Sequence, residues 1–339
     1  MIDKNRYIVY WLDICCFFIV VMIVVGGITR LTQSGLSMVE WKPITGIFPP
    51  LNENQWQESF EKYKQFPEYK KITQFEPMDV SQYKSIYFWE YIHRMLGRII
   101  GLLLICPFIF FYFKNYMNNK LIIRSVMFIF LVIFQGILGW YMVKSGLVNN
   151  PHVSHFRLSA HLLLAFFLLA YIFWTRISIN SRPRDNVNYN HLRHINILLA
   201  LFVIQVVFGA FIAGTKAGKL WNTFPLIEGY LFHPQLLSLE PLYMNFLNNM
   251  MMFQFVHRFL GIVIVVYGVY FFVLTSNEIY SKYTRFLFMV ILIQFYLGIM
   301  TLLSRVEIQF AILHQFIAIA FLFILVKIKY LISYVDVID

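Results

Sequence analysis

Charge is scarce in this 339-residue sequence: 13% of its residues are Asp, Glu, Lys or Arg, against about 25% in soluble domains. With 59% hydrophobic residues and a mean hydropathy of +0.65, the shortage excludes a soluble globular chain and leaves an integral membrane protein. Cysteine is scarcer still. Cys15, Cys16 and Cys106 all fall inside apolar runs, with no spacing suited to a metal site or an outer-loop disulfide, so they read as small apolar packing residues. No small-residue cleavage site follows the apolar run 14–28, which therefore reads as a retained first span and not as a signal peptide. The net charge of +11 does not point to nucleic acid, because the basic residues sit in short connections where membrane topology accounts for them. No nucleic-acid partner is expected.

What is present is a ladder of apolar runs. At about 20 residues per span, eight helices are expected, at 8–28, 86–113, 121–143, 156–175, 194–214, 249–274, 284–303 and 309–330. Both termini then lie on one side. The connections on that side carry Lys114, Lys120, Arg176, Arg182, Arg184 and Lys282, which makes it the cytoplasmic or matrix side. Segment 29–85, on the other side, is too long for a passive connection. Within it Trp56, Phe60 and Tyr63 recur at helical spacing amid Glu and Lys, which predicts a surface-lying amphipathic helix capping the outer end of the first half.

The sequence also repeats itself. HRMLG at 93–97 returns as HRFLG at 257–261, QGILG at 135–139 returns as QFYLG at 294–298, and GGITRLTQSG ending at Gly35 matches GAFIAGTKAG ending at Gly218. Helices 1 to 4 therefore correspond to helices 5 to 8. The fold expected is all-α: two pseudo-symmetric four-helix bundles, residues 1–175 with the long outer loop and residues 176–339, related as parallel repeats about an axis along the membrane normal. Gly136, Gly139, Gly209 and Gly298 would let neighbouring helices approach closely.

Of nine histidines, His152, His155, His191, His194 and His233 fall in connections or close to span ends and read as solvated. The other four, His93, His161, His257 and His314, occupy one even-numbered helix each, at a common depth of about 8 to 12 Å below the outer helix ends. Two imidazoles facing each other across a four-helix bundle are what six-coordinate haem iron requires. Zinc suits the pattern less, since each half offers two ligands and no cysteine or carboxylate cluster to complete a tetrahedron. Any single histidine would more simply be a hydrogen-bonded core residue; four in duplicated pairs favour haem. Arg94 and Arg258 directly follow two of them, which outward-pointing haem propionates would explain and snorkelling to lipid headgroups would explain nearly as well. Glu90 stands three residues before His93 on the same helix face, whereas the matching residue before His257 is Gln254. Either the carboxylate serves acid/base or charge-stabilising chemistry in the N-terminal half, or it is a first-turn Glu favoured by the helix dipole.

These residues, with the long signatures GGITRLTQSGLSMVEWKPITGIFPPLNENQW, FWEYIHRMLGR, PHVSHFRLSAHLLLA and VHRFLG, resemble the haem A synthase family over almost the whole chain. The resemblance implies conversion of haem O to haem A for terminal oxidases, by two successive hydroxylations of the C8 methyl group to a geminal diol that loses water. It implies that His93 and His161 flank the substrate haem, that His257 and His314 ligate a haem b, and that Glu90 is the carboxylate needed for the oxidation. It further implies a multi-pass inner (cytoplasmic) membrane location, supply by a haem O synthase, an electron carrier, oxidase assembly factors as neighbours, and an oligomer as one possible state. The outer loops lack the cysteine pairs of some members, so the chain resembles the branch without them. The competing readings are a dihaem b-type electron-transfer subunit linked to quinol and, more remotely, a transporter.

Overall fold

The computed structural model describes residues 4–40, 46–71, 78–147 and 153–336; His152 lies outside them. Eight helices among these residues are long and apolar enough to cross a membrane. They are α1 (Lys4–Leu31), α4 (Val80–Phe113), α5 (Asn119–Leu147), α6 (His155–Ile177), α7 (Tyr189–Thr215), α9 (Met250–Leu274), α10 (Ser281–Leu303) and α11 (Ile308–Ser333). Between them lie α2 (Glu53–Lys64), α3 (Pro67–Lys71) and α8 (Asn245–Asn248), several 3-10 turns, and one two-stranded antiparallel ribbon, β1 (Ser181–Pro183) with β2 (Tyr334–Asp336). The chain is an all-α integral membrane protein, and every expected span is present. The residues divide into two compact units, Ile14–Ala165 and Phe166–Asp339 with Met1–Asp13.

In the first unit α4 starts at Val80, not near 86. A capping box sets that start: the Asp79 carboxylate accepts from Gln82 N at 2.7 Å, and the Gln82 side chain accepts from Asp79 N at 3.1 Å. At 1.5 Å per residue the helix is about 51 Å long, well beyond a hydrocarbon core of about 30 Å. Its N-terminal part carries Tyr83 and Tyr87, both buried. On them sits the amphipathic helix expected at 56–63. In α2, whose N-cap Asn52 accepts from Gln55 N, Phe60 and Tyr63 stack on the Tyr83 ring at 5.1 and 5.3 Å, and Trp56 meets Tyr87 edge-on at 5.0 Å. Its apolar face is thus spent on protein and not on lipid, which makes it a cap for α4.

In the second unit α7, α9, α10 and α11 close into a ring, each packed on the next and α11 on α7, around core side chains such as Phe202, Phe271 and Leu325. Two histidines depart from the sequence reading. Because α7 begins at Tyr189 and not at 194, His191 and His194 fall within the helix, are buried, and bond through Nδ1 to the hydroxyls of Tyr280 and Tyr267 at 2.5 Å each. They are satisfied core residues, as a buried imidazole must be. His155 and His233 are half-buried, with the His155 ring tilted against Phe156 and His233 Nδ1 accepting from Gln235 N.

Candidate functional site

The second unit shows the histidine pair in its more constrained form. His257 on α9 and His314 on α11 are half-buried, with ring centroids 6.5 Å apart. Each ring is seated against a glycine of the neighbouring helix. A Cβ placed on Gly209 of α7 would lie 3.2 Å from His257 Cε1, and one on Gly298 of α10 would lie 3.1 Å from His314 Cε1. Four residues before each glycine stands a glutamine whose backbone carbonyl receives the ring: His257 Nδ1 to Gln205 O at 3.2 Å, and His314 Nδ1 to Gln294 O at 3.1 Å. A carbonyl can only accept, so Nδ1 carries the proton and Nε2 has the lone pair, which in His314 faces the Gln294 side-chain amide at 3.4 Å. That is the tautomer and orientation that backbone carbonyls impose on metal-ligating imidazoles. With metal–nitrogen bonds of about 2 Å on either side of one iron, two opposed imidazole rings have centroids about 6 to 6.5 Å apart. The residues therefore fit a bis-histidine haem on spacing, tautomer and apolar surroundings.

The first unit repeats the frame with looser fastenings. A Cβ on Gly139 of α5 would meet His161 Cε1 at 3.1 Å, and one on Gly26 of α1 would meet His93 at 3.2 Å. His93 turns its Nε2 edge to its glycine, where the other three rings present Cε1. Gln135 donates to the main-chain carbonyl of His161 at 3.0 Å, as Gln205 does to that of His257. His161 Nδ1, however, is buried without a partner, and His93 makes no hydrogen bond among the described residues. The residue four before Gly26 is Met22, which has no amide to offer.

Glu90 and Gln254 occupy matching places and do matching work with opposite polarity. Glu90 is 3% exposed. Its Oε2 accepts from Ser37 Oγ and from Met38 N, both at 2.7 Å, and its Oε1 accepts from Arg94 at 2.6 Å. Arg94 continues to the carbonyls of Met38 at 2.7 Å and Glu40 at 3.0 Å. In the second unit Gln254 donates to the carbonyls of Ala217 at 2.6 Å and Leu220 at 2.7 Å and accepts from Arg258, which donates in turn to Trp221 O and Thr223 O at 2.7 Å each. Both pairs clamp the chain that leaves the C-terminal end of the preceding long helix, α1 in one unit and α7 in the other. The guanidinium groups of Arg94 and Arg258 are engaged by loop carbonyls, a partner that sequence inspection did not suggest.

Sequence reasoning singled out the four histidines, Glu90 and the two arginines, but not the glycine seats or Gln205. The signal was there to find: Gln-x-x-x-Gly stands at 135–139, 205–209 and 294–298, with Met-x-x-x-Gly at 22–26. Each motif sets a glycine gap against an imidazole, and at 205–209 and 294–298 the carbonyl one helical turn back receives the ring.

Comparison with known proteins agrees with this architecture. A family model described as COX15-CtaA, cytochrome oxidase assembly protein, matches residues 9–326. A protein named Heme A synthase from Nitrosospira multiformis is 43% identical over 324 residues, covering 92% of this chain and 89% of that protein. Proteins of the same name from Flavobacterium psychrophilum and from Wolbachia sp. subsp. Brugia malayi are 41% and 40% identical, over 93% and 92% of this chain and 95% and 92% of theirs. With matched histidines in both units and this similarity running nearly end to end, the chain belongs to the haem A synthase family.

Proposed function

We propose that the protein oxidises the C8 methyl group of haem O to the formyl group of haem A, by two successive hydroxylations followed by loss of water. Within this reading the functional halves are residues 1–175, which take up the substrate between His93 and His161, and residues 176–339, where His257 and His314 hold a haem b that supplies one-electron chemistry when bound. The observation that carries it is the pair of imidazoles 6.5 Å apart, each tied at Nδ1 to a carbonyl of the next helix, alongside a second pair of the same plan with free ring nitrogens. All three partners of Glu90 are donors, so its contribution is a fixed, paired charge that holds Arg94 and the chain after α1 in place beside His93. The chain sits in the inner membrane with both termini cytoplasmic and draws haem O from the enzyme that makes it.

The test is expression in a host that makes haem O but no haem A, followed by extraction of the pigments and identification by mass. Haem A is expected with the wild type, and neither His93→Ala nor His161→Ala should produce it. His257→Ala and His314→Ala should lose haem b. Recovery of unmodified haem b alone, in two stoichiometric copies, would instead identify a dihaem electron-transfer subunit.

A further inference from the structure

We propose that Arg30 binds a carboxylate of the macrocycle taken up in the first unit, acting as the cationic anchor that the second unit lacks; the inference rests on the reading of that unit as the haem O site. α1 runs against α4 with Gly26 opposite His93 and with the Thr29 hydroxyl donating to Trp89 O at 3.2 Å. Arg30 is four residues beyond Gly26, so it shares that helix face and stands about 6 Å farther toward the outer end. It is half-buried, inside a membrane-crossing helix, and its guanidinium has no hydrogen bond, ion pair or ring contact among the described residues. Other arginines in comparable settings are held: Arg94 by Glu90, Arg176 by Asp13 and Arg157 by Tyr141 O. The carboxylate across from it on α4, Glu90, is already engaged by Ser37, Met38 and Arg94.

An unpaired guanidinium at that position is costly, and a cation inside a membrane bundle marks the path or seat of an anion. Its planar fork matches a carboxylate or a phosphate. The haem edge bearing two carboxylates would reach this level when its iron lies between His93 and His161. The duplication supplies an internal comparison. Four residues beyond Gly209, at the matching place in α7, stands Ala213, so the cation belongs to one unit alone.

The experiment uses the purified full-length protein with its resident haem in nanodiscs, zwitterionic or anionic, titrated with iron protoporphyrin IX and with its dimethyl ester. Wild type is expected to bind the diacid about tenfold or more tightly than the diester, as one charge-assisted hydrogen bond implies. Arg30→Gln should abolish the preference, and Arg30→Lys should keep part of it. Retained resident haem reports that each variant is folded, and the Arg30→Lys comparison stands where Arg30→Gln does not fold. Equal binding of both ligands by wild type, or an unchanged preference in Arg30→Gln, overturns the proposal. An effect of Arg30→Gln confined to anionic nanodiscs also overturns it, assigning the cation to a lipid phosphate. Failure of wild type to take up any second haem refutes the haem O site itself, and this inference with it.

Discussion

Adding one methyl group at Gly209 tests the glycine seat directly. The Cβ of Gly209→Ala would lie 3.2 Å from His257 Cε1 and 3.7 Å from Nδ1, whereas carbon atoms rest at about 3.5 to 4.0 Å. The ring must retreat by a few tenths of an ångström, and its Nδ1 is already bound to Gln205 O at 3.2 Å, one turn back on the same helix. Moving off the new methyl lengthens that bond. Overpacking costs about 1 to 3 kcal/mol and the weakened hydrogen bond about 1 kcal/mol, together about 2 to 4 kcal/mol against the ligating geometry. Haem affinity in the second unit should fall by about 30- to 1,000-fold. The controls are Gly101→Ala on α4 and Gly136→Ala on α5, where a Cβ meets nothing within 4 Å; these should be neutral or gain up to about 1 kcal/mol of helix propensity. Haem per protein and the reduced-minus-oxidised absorbance bands read the outcome. A Gly209→Ala protein with a full haem complement and unshifted bands would refute the reasoning, as would equal losses in the two controls.

Glu90→Gln sets an amide nitrogen against donors in place of a carboxylate oxygen, since Ser37 Oγ and Met38 N both donate there; thermal unfolding should show a loss of about 1 to 3 kcal/mol, and haem A formation should cease. Gln254→Glu, which turns a carboxylate toward the carbonyls of Ala217 and Leu220, should be the more damaging of the two by the same assay. Phe60→Ala, at a ring 3% exposed and stacked on Tyr83, should cost about 3 to 5 kcal/mol locally and open α2 to limited proteolysis while the spans stay protected. Met22→Gln restores the amide that the other three motifs carry and should slow release of a haem held by His93 about fivefold, roughly the worth of one hydrogen bond, in a stopped-flow exchange assay.

The spans were legible because a bilayer demands about 20 apolar residues from each of them, and the duplication was legible because its motifs recur in order. What eluded inspection was polar detail at the helix ends. The early start of α7 is invisible in hydropathy because His191 and His194 lower it, yet both are paired with tyrosines from distant sequence. The N-terminal extension of α4 was missed for a related reason: its first two turns are polar on one side and held by the Asp79 cap and the α2 aromatics, not by lipid. In the site, residue types sufficed to find the histidines, because an imidazole inside an apolar helix is rare. Glycine seats could not be told from close helix packing without coordinates, and the loop carbonyls that hold Arg94 and Arg258 beyond their i−4 partners cannot be read from sequence. Arg94 pairs with backbone 54 and 56 residues away, while the Arg30 guanidinium has no partner among the described residues.

The two units share a frame but differ in how firmly they orient their imidazoles, and the difference runs in one direction. His257 and His314 each spend Nδ1 on a carbonyl; His161 keeps a main-chain bond from Gln135 but leaves Nδ1 unpaired, and His93 has neither. At about 1 kcal/mol for each missing ring hydrogen bond, the first pair is less preorganised by about 2 kcal/mol, a factor of about 30 in affinity for the same macrocycle. A resident cofactor is served by fixed ligands and a substrate is not, because a product bound as tightly as a cofactor would never leave. In the proposed division of labour, leaving the two rings without a carbonyl partner among the described residues is enough to turn a storage site into an exchange site, and a cation at Arg30 selects what enters without tightening the grip on the iron.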